Sequence, residues 1–243
     1  MAGRDTDADW RALGTSEPYW GVISHPNYRR ENLSDQHLAD FYSTGGPFMA
    51  QLVRDLERVT GARPAGRALD FGCGVGRLTE PMADYAREVV GYDISPGMLA
   101  LARQRGGRAT YSAELPAGPF DWINSFIVFQ HIPPTRGMAL IENLLARLAP
   151  GGAISLHVTV WRSANREPPR FAGWSGPARA LRHWLWLRTQ PAGHIQMYDY
   201  DLSAVVQALN RAGIGEATLV ATDHDGHHGV IILGRKTAPA GLA

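Results

Sequence analysis

The chain has 243 residues, of which 44% are hydrophobic and 19% charged, and its formal net charge is +1. This length can bury a sizeable core, and the small net charge points neither to nucleic acid nor to an anionic membrane as a partner. A single cysteine, Cys73, excludes an internal disulfide and a cysteine-based metal site. The N-terminus has no apolar signal segment, and no run reaches the roughly 18 apolar residues of a membrane span. We therefore expect a cytoplasmic protein.

The first 60 residues precede the first predicted strand, and we expect them to form an N-terminal flap and helical cap. About the first 15 residues are polar and predict a loose lead. An aromatic, proline-punctuated stretch then predicts a flap over the core, and two amphipathic segments predict helices. The flap and the two helices are predicted over residues 17–30, 34–42 and 48–59.

From Arg67 onward, apolar runs alternate with amphipathic segments. This alternation is typical of βαβ units and predicts an α/β fold with a doubly wound, mainly parallel seven-stranded sheet. A short turn at Asp225-Gly226 should join the last two strands as an antiparallel hairpin. The predicted strands cover residues 67–71, 88–92, 108–111, 120–128, 153–160, 216–222 and 229–235. The predicted helices cover residues 76–86, 96–105, 135–148 and 201–212, and the turn LAPGG at 148–152 should end the third of them.

The stretch ALDFGCGVGRLT, from Ala68 to Thr79, joins the end of a predicted strand to a helical segment. It contains an acid, Asp70, and three glycines at alternate positions. Glycine permits positive φ and lets a ligand approach the backbone closely, and a following helix would direct unpaired N–H groups at that ligand. In open α/β sheets, ligands bind outside the carboxyl ends of the strands, where this stretch lies. The three glycines are Gly72, Gly74 and Gly76.

The motif does not fit the dinucleotide fingerprint G-x-G-x-x-G, because the third glycine of that pattern would fall at Arg77. It closely resembles motif I of class I S-adenosylmethionine (SAM)-dependent methyltransferases. The resemblance implies a Rossmann-like fold with SAM as the cofactor. It further implies that Asp70 helps to hold the methionine ammonium group, and Arg77 is a candidate to meet the methionine carboxylate.

A second acid, Asp93, ends the next predicted strand about 20 residues after the glycines, where a carboxylate can accept from both ribose hydroxyls. Such a carboxylate disfavours the ribose phosphate of NADP. Ser95-Pro96 then begins a helix, so Ile94 and Met98 are candidates to flank the adenine.

Two further cofactor contacts follow from the same resemblance. The family usually has an acid followed by alanine after the third strand, whereas this chain has Ser112 and Ala113. A serine hydroxyl can still bond the adenine amine, but the departure weakens the assignment. The end of the fourth strand faces the transferring methyl group, and Ser125 is the candidate for a backbone contact there.

Residues 161–198 break the regular pattern and contain several aromatic residues. An insertion at this place projects above the cofactor, which favours a lid over an apolar or planar acceptor. The alternatives for these residues are a packing subdomain or a dimer contact, and the second would make the protein a homodimer. On this interpretation residues 61–237 form the methyltransferase core, which includes the lid, and residues 238–243 form a disordered tail.

Three residues are candidate catalytic groups if the acceptor must lose a proton. His131 follows the fourth strand, and its ordinary pKa near 6.5 suits a base. The Q-H-I-P pattern around it occurs in the family with unrelated substrates, which argues for a role in fixing the loop. His194 and Tyr198, at the end of the predicted lid, are the alternatives. No metal site is predicted in the cluster His224, Asp225, His227 and His228, since consecutive strand residues point to opposite faces.

The leading hypothesis is a SAM-dependent methyltransferase that methylates an O or N atom of a small-molecule acceptor in specialised metabolism, with no membrane or nucleic-acid partner. A second hypothesis is methylation of RNA or protein, which the arginines in the insertion favour. A third hypothesis is a SAM-binding protein that does not transfer a methyl group. An NAD oxidoreductase is disfavoured by Arg77 and by the closing hairpin.

Overall fold

The computed structural model describes residues 4–163 and 176–238. Its strands are β1 Arg67–Phe71, β2 Glu88–Tyr92, β3 Thr110–Ser112, β4 Phe120–Ser125, β5 Leu148–Arg162, β6 Ala217–His224 and β7 His227–Arg235. They form one sheet in the order β3-β2-β1-β4-β5-β7-β6. Neighbours among β1 to β5 are parallel, and β7 is antiparallel to both β5 and β6. This confirms the predicted doubly wound, Rossmann-like sheet and its closing hairpin.

Helices cover both faces of the sheet. They are α1 Thr6–Ser16, α2 Pro18–Val22, α3 Asp35–Ser43, α4 Gly45–Thr60, α5 Thr79–Met82, α6 Pro96–Arg105, α7 Pro134–Ala146, α8 Gly176–Arg188 and α9 Leu202–Arg211. Single 3₁₀ turns lie at Pro26–Tyr28 and Phe129–His131. No helix within the described ranges is long and apolar enough to cross a bilayer.

The buried core lies in two layers, because successive strand residues point to opposite faces of the sheet. Leu69 and Ile123 pack with α7 and α9 on one face, and Ala68 and Trp122 pack with α4 and α5 on the other. The parallel strands are therefore buried on both sides, which explains their nearly continuous apolar runs. This arrangement leaves the carboxyl ends of β1, β2 and β4 side by side at one edge.

The prediction of a loose lead over the first 15 or so residues is wrong, because α1 begins at Thr6. The Asp5 carboxylate caps it by accepting from the N–H groups of Asp7 and Ala8. Gly14 packs so closely on the start of α6 that an added Cβ would lie 1.9 Å from Ser95 Oγ. Tertiary contacts therefore order a segment whose local pattern is weak.

Two elements are shorter than predicted, and a residue with positive φ lies close to one end of each. The helix expected over 76–86 is only the four residues of α5, because Gly76 has a φ of 80° and cannot lie in an α-helix. So short a helix offers little dipole to a ligand. The strand β4 ends at Ser125, since Ile127 has a φ of 56°. The three residues after Ser125 form a turn at the sheet edge.

The turn expected at 148–152 is part of β5, where it forms an irregularity in the pairing with β4. Gly151 has a φ of 77° there. The hairpin turn is as predicted: Asp225 and Gly226, with φ values of 57° and 81°, join β6 to β7 directly.

Candidate functional site

A cleft that opens to solvent lies at the carboxyl ends of β1, β2 and β4. Its floor is the motif that follows β1, and its far wall is the turn after β4. Helices α1 and α2 contribute further residues to the lining.

The glycine loop at the floor of the cleft is held by close packing rather than by free space. Gly72 has a φ of 77°, and an added Cβ would lie 2.4 Å from Val128 Cγ2. Gly76 has a φ of 80°, and its Cβ would lie 2.5 Å from the Tyr111 hydroxyl oxygen. Gly72 and Gly74 line the cleft, whereas Gly76 lies beneath them. The first two glycines therefore present bare backbone to a ligand.

Asp93 joins the glycine loop to the start of α6. Its Oδ2 accepts from the N–H of Gly74 at 2.8 Å, and its Oδ1 accepts from the N–H of Ser95 at 2.8 Å. Burial raises the pKa of the carboxyl, and these two backbone hydrogen bonds oppose that rise. The carboxylate also lines the cleft, and a carboxylate can accept more than two hydrogen bonds.

Asp70 lies at the cleft floor with 3% of its surface exposed. Its Oδ2 accepts from Thr79 Oγ1 at 2.7 Å, and its Oδ1 accepts from Asn124 Nδ2 at 2.8 Å. Burial raises the pKa of Asp70, and both hydrogen bonds and the Arg77 charge lower it. Asp70 is thus a buried acid in β1 and Asp93 a half-buried acid directly after the adjacent β2, and both line one cleft.

Arg77 lines the same cleft beside Asp70. Its Nη1 donates to Thr44 Oγ1 at 3.1 Å, and its Nε is buried with no hydrogen-bond partner among the described residues. Burial lowers the pKa of the guanidinium, and Asp70 raises it. A buried N–H without a partner is costly, so this group fits an anionic ligand atom.

The remaining predicted cofactor contacts divide into two groups. Ile94 and Met98 line the cleft. Among the described residues around the cleft, Ser112, Ala113 and Ser125 are absent from its wall. The hydroxyl of Ser112 donates instead to Glu114 O at 2.6 Å, in a local turn. Ser125 is buried with its hydroxyl unpaired within the described structure.

His131 lies on the wall of the cleft, but both of its ring nitrogens are engaged. Nδ1 lies 2.9 Å from Gln196 O, and Nε2 lies 3.2 Å from Gln130 Nε2. Trp10 of α1 packs against the ring, with centroids 4.8 Å apart. Because a carbonyl accepts and the Gln130 amide donates, the ring is neutral with its proton on Nδ1. Burial lowers the pKa of His131 to about 4.

We therefore expect His131 to stay neutral from pH 8 to about pH 5. The unfolded chain takes up this proton near pH 6.5 and the folded chain only near pH 4, so folding stability falls as the pH drops through that window. Titration of the ring resonances by NMR, assigned with His131→Asn, measures the pKa directly. A midpoint near 6.5 in the folded protein would contradict the burial seen here.

His194 and Tyr198 do not line the cleft in the part of the chain that is described. The Tyr198 hydroxyl donates to Gln196 Oε1 at 2.8 Å, and its backbone N–H donates to Gln130 O at 2.7 Å. His194 packs edge-on against Trp186, with centroids 5.4 Å apart. These contacts tie the end of the predicted lid to the His131 turn. Residues 164–175 of that lid lie outside the described residues.

Sequence reasoning missed the contribution of α1 to the cleft. Thr6, Asp7 and Trp10 line it, and Asp7 accepts from Arg136 Nη1 and Nη2 at 2.6 and 2.7 Å. A single signal was present: Asp5, a favoured N-cap residue, directly precedes Thr6 and is followed at helical spacing by Trp10 and Leu13.

Two sets of contacts form a latch that holds α1. The first is the ion pair between Asp7 and Arg136, and the second is made by Arg4. Its guanidinium donates to Asp9 Oδ2 at 2.5 Å and to the carbonyl oxygens of Leu187 and Gln190 at 2.8 and 2.9 Å, and it also bonds Pro191 O. Asp9 is buried and also accepts from the N–H of Gly193 at 3.1 Å. These contacts hold α1, which lines the cleft, against the end of α8 and the segment that follows it.

The sequence pattern of a family described as a methyltransferase domain matches residues 46–214. The chain belongs to this methyltransferase family. The match spans β1 to α9 and therefore contains both aspartates and the whole glycine loop.

The relatives of this methyltransferase domain agree with the assignment. Ubiquinone biosynthesis O-methyltransferase from Xanthomonas campestris pv. campestris is 31% identical over 123 residues, which cover 46% of this chain and 48% of the relative. Trans-aconitate 2-methyltransferase from Methylobacterium nodulans is 38% identical over 143 residues, which cover 52% of this chain and 54% of the relative. The chain thus spans about half the length of the curated relatives that it matches.

Among solved structures, magnesium protoporphyrin IX methyltransferase (ChlM) from Synechocystis PCC 6803, crystallised with bound SAH, has a TM-score of 0.63 to this methyltransferase domain. It is 20% identical, and the match covers 96% of this chain and 100% of the other. At that identity the likeness shows the shared fold. Within the described residues, no group of three or more His, Cys, Asp or Glu side chains is placed to hold a metal ion.

Proposed function

We propose that this protein is a SAM-dependent methyltransferase acting on an O or N atom of a small-molecule acceptor. The observation that carries the proposal is that Asp70 and Asp93, at the ends of adjacent parallel strands, face one cleft over a glycine loop. Family membership and the names of the relatives support it.

The residues of the cleft fit the two polar ends of SAM. The open acceptor positions of Asp93 suit the two ribose hydroxyls, and those of Asp70 suit the methionine ammonium group. The unpaired Nε of Arg77 suits the methionine carboxylate. Gly72 and Gly74 leave space where a Cβ would meet the ligand or the neighbouring wall.

When bound, SAM supplies a methyl group on a positively charged sulfur, ready for direct displacement by a nucleophile. The protein's own task is to align the acceptor and to exclude water. Trp10 of α1 and Phe126 contribute apolar surface to the cleft wall. Such a wall supports a planar or apolar acceptor.

The contacts of His131 support a role in shaping the acceptor wall rather than in removing a proton. Its Nε2 already accepts from Gln130, and the pKa of the ring lies at about 4. Tyr198 and His194 remain candidate bases only if the lid moves them onto the cleft. We accordingly favour an acceptor whose nucleophile needs no base from His131.

We further propose that residues 1–60 form a cap over a methyltransferase core at 61–237, with 161–198 as the acceptor lid. The positions of α1 and α2 on the cleft support the cap, and the contacts of Gln196 and Tyr198 with the His131 turn support the lid.

Isothermal titration calorimetry of the full chain with SAM, SAH and NAD tests the function. We expect binding of SAM and SAH and none of NAD. A screen of small molecules with methyl-labelled SAM then identifies the acceptor by the mass shift of its product. Binding of NAD alone would overturn the proposal. Methylation of RNA or protein in place of every small molecule would overturn the acceptor class.

A further inference from the structure

A chain of buried hydrogen bonds crosses three adjacent parallel strands beneath the cleft. Asp70 of β1 lies opposite Asn124 of β4, which lies opposite Ser155 of β5. Ser155 Oγ donates to Asn124 Oδ1 at 2.8 Å, and Trp122 Nε1 donates to Ser155 Oγ at 3.0 Å. All four residues are at least 97% buried. The parallel register places these polar side chains on one face of the sheet.

The direction of every hydrogen bond in this chain is fixed by chemistry. An indole N–H can only donate, so the hydroxyl of Ser155 accepts from Trp122 and gives its own proton to Asn124 Oδ1. The Asn124 amide must then present its NH₂ group to Asp70. Thr79 donates to the other carboxylate oxygen. Both oxygens of Asp70 therefore accept hydrogen bonds from neutral donors, and neither oxygen donates a hydrogen bond.

We propose that Asn124 and Ser155 are positioning residues that keep the Asp70 carboxylate ionised and aimed at the ammonium group of the cofactor. The inference rests on the proposed function for its ligand. The hydrogen bonds themselves need no ligand, because they are formed by the protein alone. Burial favours the neutral acid at this site, and the two neutral donors oppose that effect.

Other ionisable groups also act on Asp70, and they are unchanged in the variants below. Arg77 favours the ionised acid, whereas Asp93 is a like charge facing the same cleft. Cys73 and Tyr111 lie near enough to interact with Asp70, and burial raises the pKa of both, which keeps them neutral. A change in the Asp70 titration in Asn124→Leu therefore reports the lost donor.

The test compares Asn124→Leu and Ser155→Ala with the unaltered protein and with Thr222→Val. The last variant removes a hydrogen bond on the same sheet, between His157 and Thr222 at 3.0 Å, that is not connected to Asp70. The titration of Asp70 is followed by NMR of ¹³C-labelled aspartate carboxyl groups, assigned with Asp70→Asn, and needs no cofactor. SAM affinity is measured by calorimetry from pH 5 to pH 8.5.

We expect Asn124→Leu to raise the titration midpoint of Asp70 and to weaken SAM binding about tenfold at neutral pH. The loss of affinity on acidification should begin at a higher pH than in the unaltered protein. Ser155 acts on Asp70 only through Asn124. Ser155→Ala should therefore raise the Asp70 midpoint by a smaller amount than Asn124→Leu does and weaken SAM binding about threefold. Thr222→Val should leave both unchanged.

An unmoved Asp70 midpoint in both variants would overturn the inference even if SAM binding weakened, because packing alone would then explain the loss. If the midpoint moves but the unaltered protein binds no SAM, the proposed function is wrong and the cofactor role of the hydrogen-bond chain fails with it. Thermal denaturation confirms that each variant is folded, and Ser155→Ala serves if Asn124→Leu is not.

Discussion

Asp93→Ala should weaken SAM binding by about 100-fold, the largest functional effect that we expect from one substitution. Two charge-assisted hydrogen bonds to the ribose are lost, each contributing about 1.5 kcal/mol, and tenfold in affinity corresponds to about 1.4 kcal/mol. The same carboxylate also holds Gly74 and Ser95 by their N–H groups. Its removal therefore loosens the loop and the start of α6 as well. Calorimetry with SAM measures the loss.

Asp84→Asn is the matched control for Asp93→Ala, since Asp84 is an exposed acid whose partner is Arg108 on the protein surface. It does not line the cleft in the described structure, and we expect SAM affinity equal to that of the unaltered protein. If Asp93→Ala binds SAM as tightly as Asp84→Asn does, the ribose assignment is wrong. Asp93→Asn should fall between the two, because the amide keeps one acceptor oxygen.

Asp9→Ala should lower the free energy of unfolding by about 2–3 kcal/mol. It removes the buried partner of the Arg4 guanidinium and leaves the N–H of Gly193 without its acceptor. Only 16% of the Arg4 side chain and 8% of the Asp9 side chain are exposed, so solvent compensates little. Urea unfolding followed by circular dichroism measures the change.

The control for Asp9→Ala is Glu57→Ala, which breaks the ion pair between Glu57 and Arg63. That pair has a similar N–O distance of 2.7 Å, but 43% and 63% of its side chains are exposed. Because solvent screens this pair, its loss should leave the free energy of unfolding nearly unchanged. Equal costs for the two variants would show that α1 is not anchored by Asp9. Arg4→Ala combined with Asp9→Ala should cost less than the two single changes added together.

The parts of the fold that were predictable are those whose signal is local. The strands β1 and β2 are short apolar runs that end in an acid, and the structure places them where predicted. Asp70 and Asp93 could be assigned to one edge because parallel strands end together. The closing hairpin followed from two residues that tolerate positive φ.

The unpredicted features depend on contacts distant in sequence. Helix α1 has few apolar residues, and its anchor is Arg4, which bonds carbonyl oxygens more than 180 residues away. Ser112 does not line the cleft in the described structure, and its hydroxyl donates to Glu114 O, a local bond that no spacing rule reveals. The support of Asp70 by Asn124 and Ser155 required the strand register, because a polar residue inside a strand does not show which neighbour it meets.

The contribution of α1 to the cleft wall also has a kinetic consequence. Because α1 is latched at Arg4 and again at Asp7, we expect a bound molecule to leave faster when the helix is released than when it is held. The lifetime of a bound complex then depends on how often the latch opens as well as on the contacts within. A weaker latch would shorten that lifetime and speed product departure, at the expense of protection from water.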